Sequence, residues 1–172
     1  MLLVPLPQCV MPSPSPLPDG ATLLALEDHV RRNGSGLAVD RLCGRWRLEQ
    51  VWSKGGSHPS ALSGALLRSQ GARLEIQPAA QGSPGLELRN AVQLGALELS
   101  FHGAGWLQGR RPLLLFGFER LELRLGGALL LSRPLPPAAP RRQPFFALIG
   151  RGEDWLAARG RGGGLALWRP LS

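Results

Sequence analysis

The chain has 172 residues, of which 44% are hydrophobic and 19% charged, and its formal net charge is +8. This composition is typical of one globular domain and excludes a chain that is disordered throughout. No apolar run reaches the roughly 18 residues of a membrane-spanning helix. The apolar segment that begins at Met1 has no basic flank and is interrupted at once by prolines, which argues against a cleaved signal peptide.

The cysteines and the charge distribution bear on compartment and partners. Cys9 and Cys43 lie far apart, so we predict two free thiols in a reducing, cytoplasmic compartment. Residues 1–100 carry 9 basic and 8 acidic side chains, a net of +1, whereas residues 101–172 carry 11 and 4, a net of +7. The basic half could face nucleic acid, a membrane surface or an acidic protein, or form a merely solvated surface.

The N-terminal part predicts a leader and a short helix. Residues 1–18 contain six prolines and are predicted to be a flexible leader ahead of one domain, residues 19–172. Asp19 is a candidate N-cap, and Asn33-Gly34 supplies the stop. One helical face would carry Leu23, Leu26 and Val30. We expect this face to lie against a larger body, with the helix acting as a lid or plug.

From residue 44 the hydrophobic period changes to two, which indicates strands with one buried face. In Gly44–Trp52, the residues that face one way are Trp46, Leu48, Gln50 and Trp52. A second short helix is predicted over residues 61–69. The alternation then returns in eight further segments, separated by glycine or proline turns: residues 73–77, 86–90, 97–102, 116–125, 129–131, 145–149, 155–158 and 165–168.

The strand pattern predicts a fold class. The apolar phase slips by one residue near Glu119, and a β-bulge there would restore it. The chain is therefore predicted to be mainly all-β, with one or two short helices near the N-terminus. The predicted architecture is a single lipocalin-like antiparallel β-barrel of about eight to nine strands, with an open sandwich as the structural rival.

No motif in the chain points to catalysis or to a metal. His29, His58 and His102 lie on three different elements, without cysteine or glutamate at metal-ligand spacing. Neither a nucleophile elbow nor a phosphate-binding loop occurs. The run Arg159–Gly164 predicts a hairpin turn rather than an RNA-binding box, and no aromatic array accompanies the arginines, which argues against nucleic acid as a partner. We predict a protein that is not an enzyme and holds no metal or cofactor other than a bound lipid or pigment.

Gly44-Arg45-Trp46 opens the first long strand, where it predicts a barrel-end plug. The glycine would let the chain cross the end closely, the indole of Trp46 would fill it, and Arg169 would cover the indole by a cation–π contact. The role assigned to these three residues is structural.

Three short motifs together resemble one family. Residues 42–48, Leu-Cys-Gly-Arg-Trp-Arg-Leu, resemble the leucine-x-glycine-x-tryptophan opening of the plastid lipid-associated protein (fibrillin) family. Asn90-Ala91-Val92 resembles its asparagine-x-valine strand, and Arg159-Gly160 with the strand at residues 165–167 resembles its closing hairpin. The resemblance covers roughly residues 20–169 and looks like that of a cyanobacterial-type member. It departs where Ala157 or Ala158 replaces a further arginine of the family.

The resemblance implies a lipocalin-like barrel that carries an apolar small molecule, such as a lipid, carotenoid or quinone, without catalysis. It also implies a peripheral position at thylakoid or lipid-globule surfaces. The candidate cavity wall consists of the inward apolar residues Trp52, Leu74, Ile76, Leu88, Leu99, Phe101, Phe116 and Phe118. Three alternatives remain open: a related bilin lyase or chromophore chaperone, a protein-binding assembly factor using the basic half, and a barrel with a filled core.

Overall fold

The computed structural model describes residues 16–54, 71–80 and 85–171. Cys9, His58 and the helix predicted over residues 61–69 lie outside this part of the chain. The described elements are α1 (Gly20–Asn33), β1 (Gly44–Trp52), β2 (Arg73–Pro78), β3 (Leu86–Leu94), β4 (Leu97–Gln108), β5 (Leu113–Leu125), β6 (Ala128–Pro134), β7 (Phe145–Arg151), β8 (Leu156–Gly160) and β9 (Leu165–Pro170), with short 3₁₀ turns at Val39–Arg41 and Pro140–Arg142.

Eight of these strands close into an antiparallel ring. Strands β1 to β5 pair in sequence, β5 pairs with β7, and β7, β8 and β9 lead back to β1. Strand β6 pairs with the far half of β5, beyond the part that contacts β7. The all-β fold class predicted from the alternation is confirmed, and the ring is the predicted barrel rather than the open sandwich.

Helix α1 begins and ends where the sequence indicated. The Asp19 carboxylate accepts a hydrogen bond from the Thr22 amide at 2.8 Å, which caps the first turn. The chain leaves the helix at Gly34, whose φ of +84° suits glycine. The predicted role as a lid or plug is wrong. Leu23 packs on the outside of the barrel wall, because outward side chains of β1, β7, β8 and β9 are also apolar there: Trp52, Ile149, Ala157, Leu165 and Leu167.

Bulges decide which side chains of β1, β4 and β5 face the interior. His102 pairs with Arg120 and Gly103 with Phe118, so Glu119 is the extra residue, and the predicted bulge is confirmed. A second irregularity, not predicted, lies between Leu48 and Gln50. It inverts the phase of β1, so Leu48 belongs to the interior core whereas Trp52 belongs to the outer cluster. Placing Trp52 on the cavity wall was therefore wrong.

Trp46 closes one end of the barrel. Its indole Nε1 donates to the Leu42 carbonyl at 2.9 Å, and the ring is fully buried. Gly44 enters β1 with a φ of +147°, close to the indole. The cation over this ring is Arg151, 5.4 Å from its centre, and not Arg169 as predicted. Arg169 follows the inward-facing Trp168, so strand alternation turns it to the other side of β9.

A buried carboxylate fixes α1 to the barrel. Glu27 is 2% exposed and accepts hydrogen bonds from Arg159 at 2.8 Å, Arg111 at 2.9 Å and Arg31 at 3.1 Å. Burial alone would raise the pKa of Glu27, but the hydrogen bonds and charge of Arg159, together with Arg31, hold it below its ordinary value. Nothing in the local sequence predicted this cluster.

Candidate functional site

A small apolar pocket opens at the end of the barrel opposite Trp46, where β1 ends and β2 begins. Its volume is about 250 Å³. Its walls come from strands on opposite sides of the ring: Leu48, Val51, Ala72, Arg73, Leu74, Asn90, Val92, Phe146, Ala166 and Trp168. The deepest of these, such as Leu74 and Trp168, are buried, whereas Val51, Val92 and Phe146 are half-buried at the mouth.

Asn90 brings a polar group to this otherwise apolar wall. It pairs with Leu74 on β2 and with Phe101 on β4, both of which lie on the apolar side of the sheet. Its amide has no hydrogen-bond partner among the described residues. The other polar lining residue, Arg73, already binds Glu75 at 3.2 Å and also Glu98. The amide of Asn90 is therefore the group available to fix a polar atom of a guest molecule.

A row of five aromatic rings runs from the pocket wall along the barrel. Neighbouring ring centres are 5.1–5.5 Å apart, in the order Trp168, Phe146, Phe116, Phe118 and Phe101. These spacings are those of favourable tilted and edge-to-face contacts. The row links the buried pocket to the half-exposed Phe101 on β4, so the apolar lining continues outward from the cavity.

Beyond Phe101 the apolar side of the sheet continues into what we call the sheet extension: residues 90–94 of β3, 97–101 of β4, 121–125 of β5 and 128–133 of β6. Cross-strand pairs align its leucines, with Leu99 opposite Leu123 and Leu123 opposite Leu131. The outermost leucines are open to solvent: Leu94 is 65% exposed and Leu125 49%. The extension is thus an apolar surface that begins at the pocket mouth.

Basic side chains surround the same end of the barrel. Lys54 follows β1, Arg161 lies in the β8–β9 turn, and Arg141 and Arg142 precede β7; all four are exposed. Arg161 donates to the Gln143 carbonyl at 2.9 Å, which ties the turn to the segment before β7. An anionic group at the pocket mouth would therefore meet a positive rim.

Apart from Trp52 in the outer cluster, the structure distributes the predicted wall residues over four places. Leu74 lines the pocket, whereas Ile76 and Leu88 belong to the filled core. Phe101, Phe116 and Phe118 form part of the aromatic row, and Leu99 lies on the sheet extension. Sequence reasoning missed Trp168, Phe146 and Val51 as wall residues, although it had placed all three in strands.

The outer side of β4 and β5 carries a polar cluster without the geometry of a catalytic relay. Ser100 Oγ and Glu122 Oε2 both approach His102 Nε2, at 3.0 and 3.5 Å, whereas a serine–histidine–acid relay uses both ring nitrogens. Ser100 is fully buried. Burial also lowers the pKa of His102 below its ordinary value, despite the opposing charge of Glu122. A groove of about 470 Å³ beside it is lined by charged residues such as Glu75 and Arg89, which bind each other at 2.8 Å.

The described residues contain neither three acidic, histidine or cysteine side chains grouped for a metal ion nor a helix with the length and hydropathy of a bilayer span. Compared with protein-family models, curated proteins and solved structures, the chain matches none. The resemblance to the plastid lipid-associated proteins therefore stays a prediction.

Proposed function

We propose that this protein binds one amphipathic, chain-like lipid, with the apolar tail in the 250 Å³ pocket and the polar end towards the basic rim. The observation that carries the proposal is the pocket itself: an apolar cavity at the open end of a barrel, with one amide, that of Asn90, that has no partner within the described part of the chain. Apolar cavities with few polar groups are typical of small-molecule sites.

The pocket volume favours some of the expected ligands over others. Sites for drug-sized molecules usually occupy about 300–1,000 Å³, and this cavity is smaller. A whole carotenoid or bilin would not fit inside it. Part of an acyl or prenyl chain would, with the remainder lying along the aromatic row towards Phe101. A fatty acid or a prenyl quinone therefore fits the proposal better than a carotenoid.

The basic rim favours binding at a negatively charged membrane surface. Each lysine or arginine near an anionic leaflet contributes about 1 kcal/mol of attraction, screened by salt. Lys54, Arg141, Arg142 and Arg161 lie at the pocket end, so an anionic membrane would orient the pocket mouth towards its lipids. The thylakoid or lipid-globule location implied by the resemblance belongs to this proposal.

A substitution that fills the pocket tests the proposal. Ala166 lines the cavity and is half-buried, so Ala166→Leu places additional side-chain volume inside it. A dansyl-labelled fatty acid is titrated into the protein, and energy transfer from tryptophan to dansyl is measured, since Trp168 forms one wall. We expect the dissociation constant to rise by at least about tenfold, equivalent to 1.4 kcal/mol.

The matched control is Ala104→Leu, at an exposed position on the outer groove of β4. It should leave probe binding unchanged. Equal weakening by both substitutions, or wild-type binding that Ala166→Leu does not alter, would contradict the proposed site. Native mass spectrometry of protein purified from its own host supplies a second check, because a carrier should retain lipid.

A further inference from the structure

The two hairpins at the far end of the sheet extension lie side by side. Strands β3 and β4 are joined by a turn at residues 95–96, and strands β5 and β6 by a turn at residues 126–127. The Gly126 amide donates to the Ala96 carbonyl at 2.8 Å, which connects the two turns. We call residues 94–97 and 125–128 the hairpin tips. They consist only of leucine, glycine and alanine, so their side chains carry no charge and form no hydrogen bonds.

A row of exposed leucines crosses the apolar face of the hairpin tips. Leu94 pairs with Leu97, and Leu97 pairs with Leu125, so the three side chains lie on one face of three neighbouring strands. These tip leucines are 65%, 38% and 49% exposed. In the next row towards the barrel, Leu99 and its partner Leu123 are half-buried. The exposure of the apolar face therefore increases towards the tips.

The charges near the tips are complementary to an anionic surface. The two acidic residues of the extension, Glu98 and Glu122, both bind arginines: Glu98 binds Arg73 and Arg89, and Glu122 binds Arg124 at 3.1 Å. No carboxylate of the extension is therefore left without a positive partner.

Exposed cations lie at the end of the barrel from which the hairpin tips project. Because neighbouring strands are antiparallel, the β1–β2, β3–β4, β5–β6 and β8–β9 connections all leave the barrel at this end. Lys54 lies in the first of these connections and Arg161 in the last, and both are exposed. A row of exposed leucines beside exposed cations matches a membrane, which is apolar inside and negatively charged at its surface.

We infer that the hairpin tips insert into the surface of an anionic membrane. The tip leucines enter the boundary between headgroups and acyl chains, while Lys54 and Arg161 face the headgroup phosphates. A protein partner would find no side-chain hydrogen bond at the tips, whereas the interior of a membrane requires none. The inference rests on the proposed function for its partner, since a lipid carrier has to reach a lipid surface.

The open edge of β6 limits the depth of insertion. One side of β6 pairs with β5, and no described strand pairs with the other side. The hydrocarbon core would leave the backbone groups of this edge without partners, whereas water and headgroups at the membrane surface can bind them. Successive rows on one face of a strand are about 7 Å apart, and interfacial helices enter a membrane by about 5–10 Å. Insertion should therefore bury the tip leucines and stop near the row of Leu99 and Leu123.

Co-sedimentation with vesicles of phosphatidylglycerol and phosphatidylcholine in equal parts tests the contact. The double variant Leu94→Ser, Leu125→Ser removes apolar surface without changing the net charge. It should raise the lipid concentration for half-maximal binding by at least about tenfold, equivalent to 1.4 kcal/mol. The matched control is Trp106→Ser, because Trp106 is 44% exposed near the opposite end of β4, and this variant should bind as the wild type does. Circular dichroism checks that both variants fold.

A fluorescent label tests the depth of insertion. In a chain with Cys9 and Cys43 replaced by serine, an environment-sensitive nitrobenzoxadiazole label is attached at Ala96→Cys or at Ala104→Cys; both alanines are exposed. Vesicles should shift the emission of the first label to shorter wavelength and leave that of the second unchanged. Lipids with a nitroxide near the headgroup should quench the first label more than lipids with a nitroxide at the end of the acyl chain.

A wild type that binds no vesicles overturns the inference. So does vesicle binding that the double variant leaves intact, which would make the basic rim the contact, and so does an equal loss in Trp106→Ser. A wild-type dimer that the double variant dissociates, without vesicle binding, would overturn it in favour of a second copy. The dansyl-labelled fatty acid separates this inference from the proposed function: the double variant should still bind the probe, and Ala166→Leu should still bind vesicles. Vesicle binding through the tips without binding of the probe would contradict the pocket alone.

Discussion

Strands β3, β4 and β5 each pass through two regions that differ in what lies against their apolar face. Within the barrel this face carries Leu86, Leu88 and Phe116, which are 1%, 2% and 6% exposed. Farther along the same strands, in the sheet extension, it carries Leu97 and Leu125, which are 38% and 49% exposed. The alternation is the same in both regions. The alternation in the sequence therefore predicts which face of a strand is apolar, but it does not predict what covers that face.

The two regions separate at the point where β5 changes its neighbour. Residues 113–115 of β5 pair with β7 and close the ring, whereas residues 120–125 pair with β6. Inside the ring, the opposite wall supplies the second layer that a sheet needs to bury its apolar face. In the extension, the described residues supply a single layer. The bulge at Glu119 lies between the two parts and keeps the apolar side continuous.

The comparison predicts a large difference between two identical substitutions. Leu88→Ala removes a side chain from the closed core and should lower the free energy of unfolding by about 3 kcal/mol, since a cavity adds to the lost burial. Leu97→Ala, on the same side of the sheet in the extension, should cost less than about 1 kcal/mol in a monomer. Urea denaturation at low protein concentration measures both. Equal losses would mean that the extension is covered within the monomer.

The junction between the two regions should be nearly as sensitive. A Cβ on Gly103 would lie 1.8 Å from the Gly117 carbonyl oxygen, so the β4 and β5 backbones would have to separate at the bulge. We expect Gly103→Ala to cost about 2 kcal/mol by overpacking. The control is the glycine on β5 whose carbonyl makes this contact: a Cβ on Gly117 meets only Gln143 Nε2 at 3.8 Å, so Gly117→Ala should be nearly neutral. Thermal melts of the two variants that coincide would show that the strands are not in close contact there.

The same distinction explains which parts of the fold the sequence could predict. The bulge at Glu119 was visible because alternating apolar residues flank it on both sides, so the phase slip could be read directly. The bulge after Leu48 was not visible, because Trp52 is apolar on either interpretation and packs equally well against Leu23 on the outer wall. When both faces of a strand pack against apolar residues, the sequence does not show which of its side chains face the interior.

The candidate site was less predictable, because it depends on contacts between distant parts of the chain. Strand alternation places Asn90 on the same face as Leu86 and Leu88, but only the closed ring brings Val92 close to Phe146 and Trp168. The cation over Trp46 comes from β7 and not from its neighbour β9. No local pattern could identify these partners, since each depends on the register of several strands at once.

The smallest effect concerns α1, which covers the outer barrel wall, whereas no described helix covers the extension. The folded-state pKa of Glu27 lies below its ordinary value, so its contribution to stability is present above that value and is lost as the pH falls through the folded-state pKa. Glu27→Gln should therefore cost about 1–2 kcal/mol at pH 7, because the partly exposed Arg159 and Arg111 lose a buried, charged partner. The loss should begin to shrink below the ordinary glutamate pKa of about 4.3, where the unfolded wild-type chain takes up a proton, and should vanish only below the lower pKa of the folded state. Asp28→Asn is the control, because Asp28 is 69% exposed and its contact with Arg31 is long, at 3.9 Å. Unfolding midpoints of this variant should therefore follow the wild type from pH 3 to 7. A constant deficit of Glu27→Gln over that range would show that packing of the carboxamide, and not the ion pairs, holds the helix on the wall.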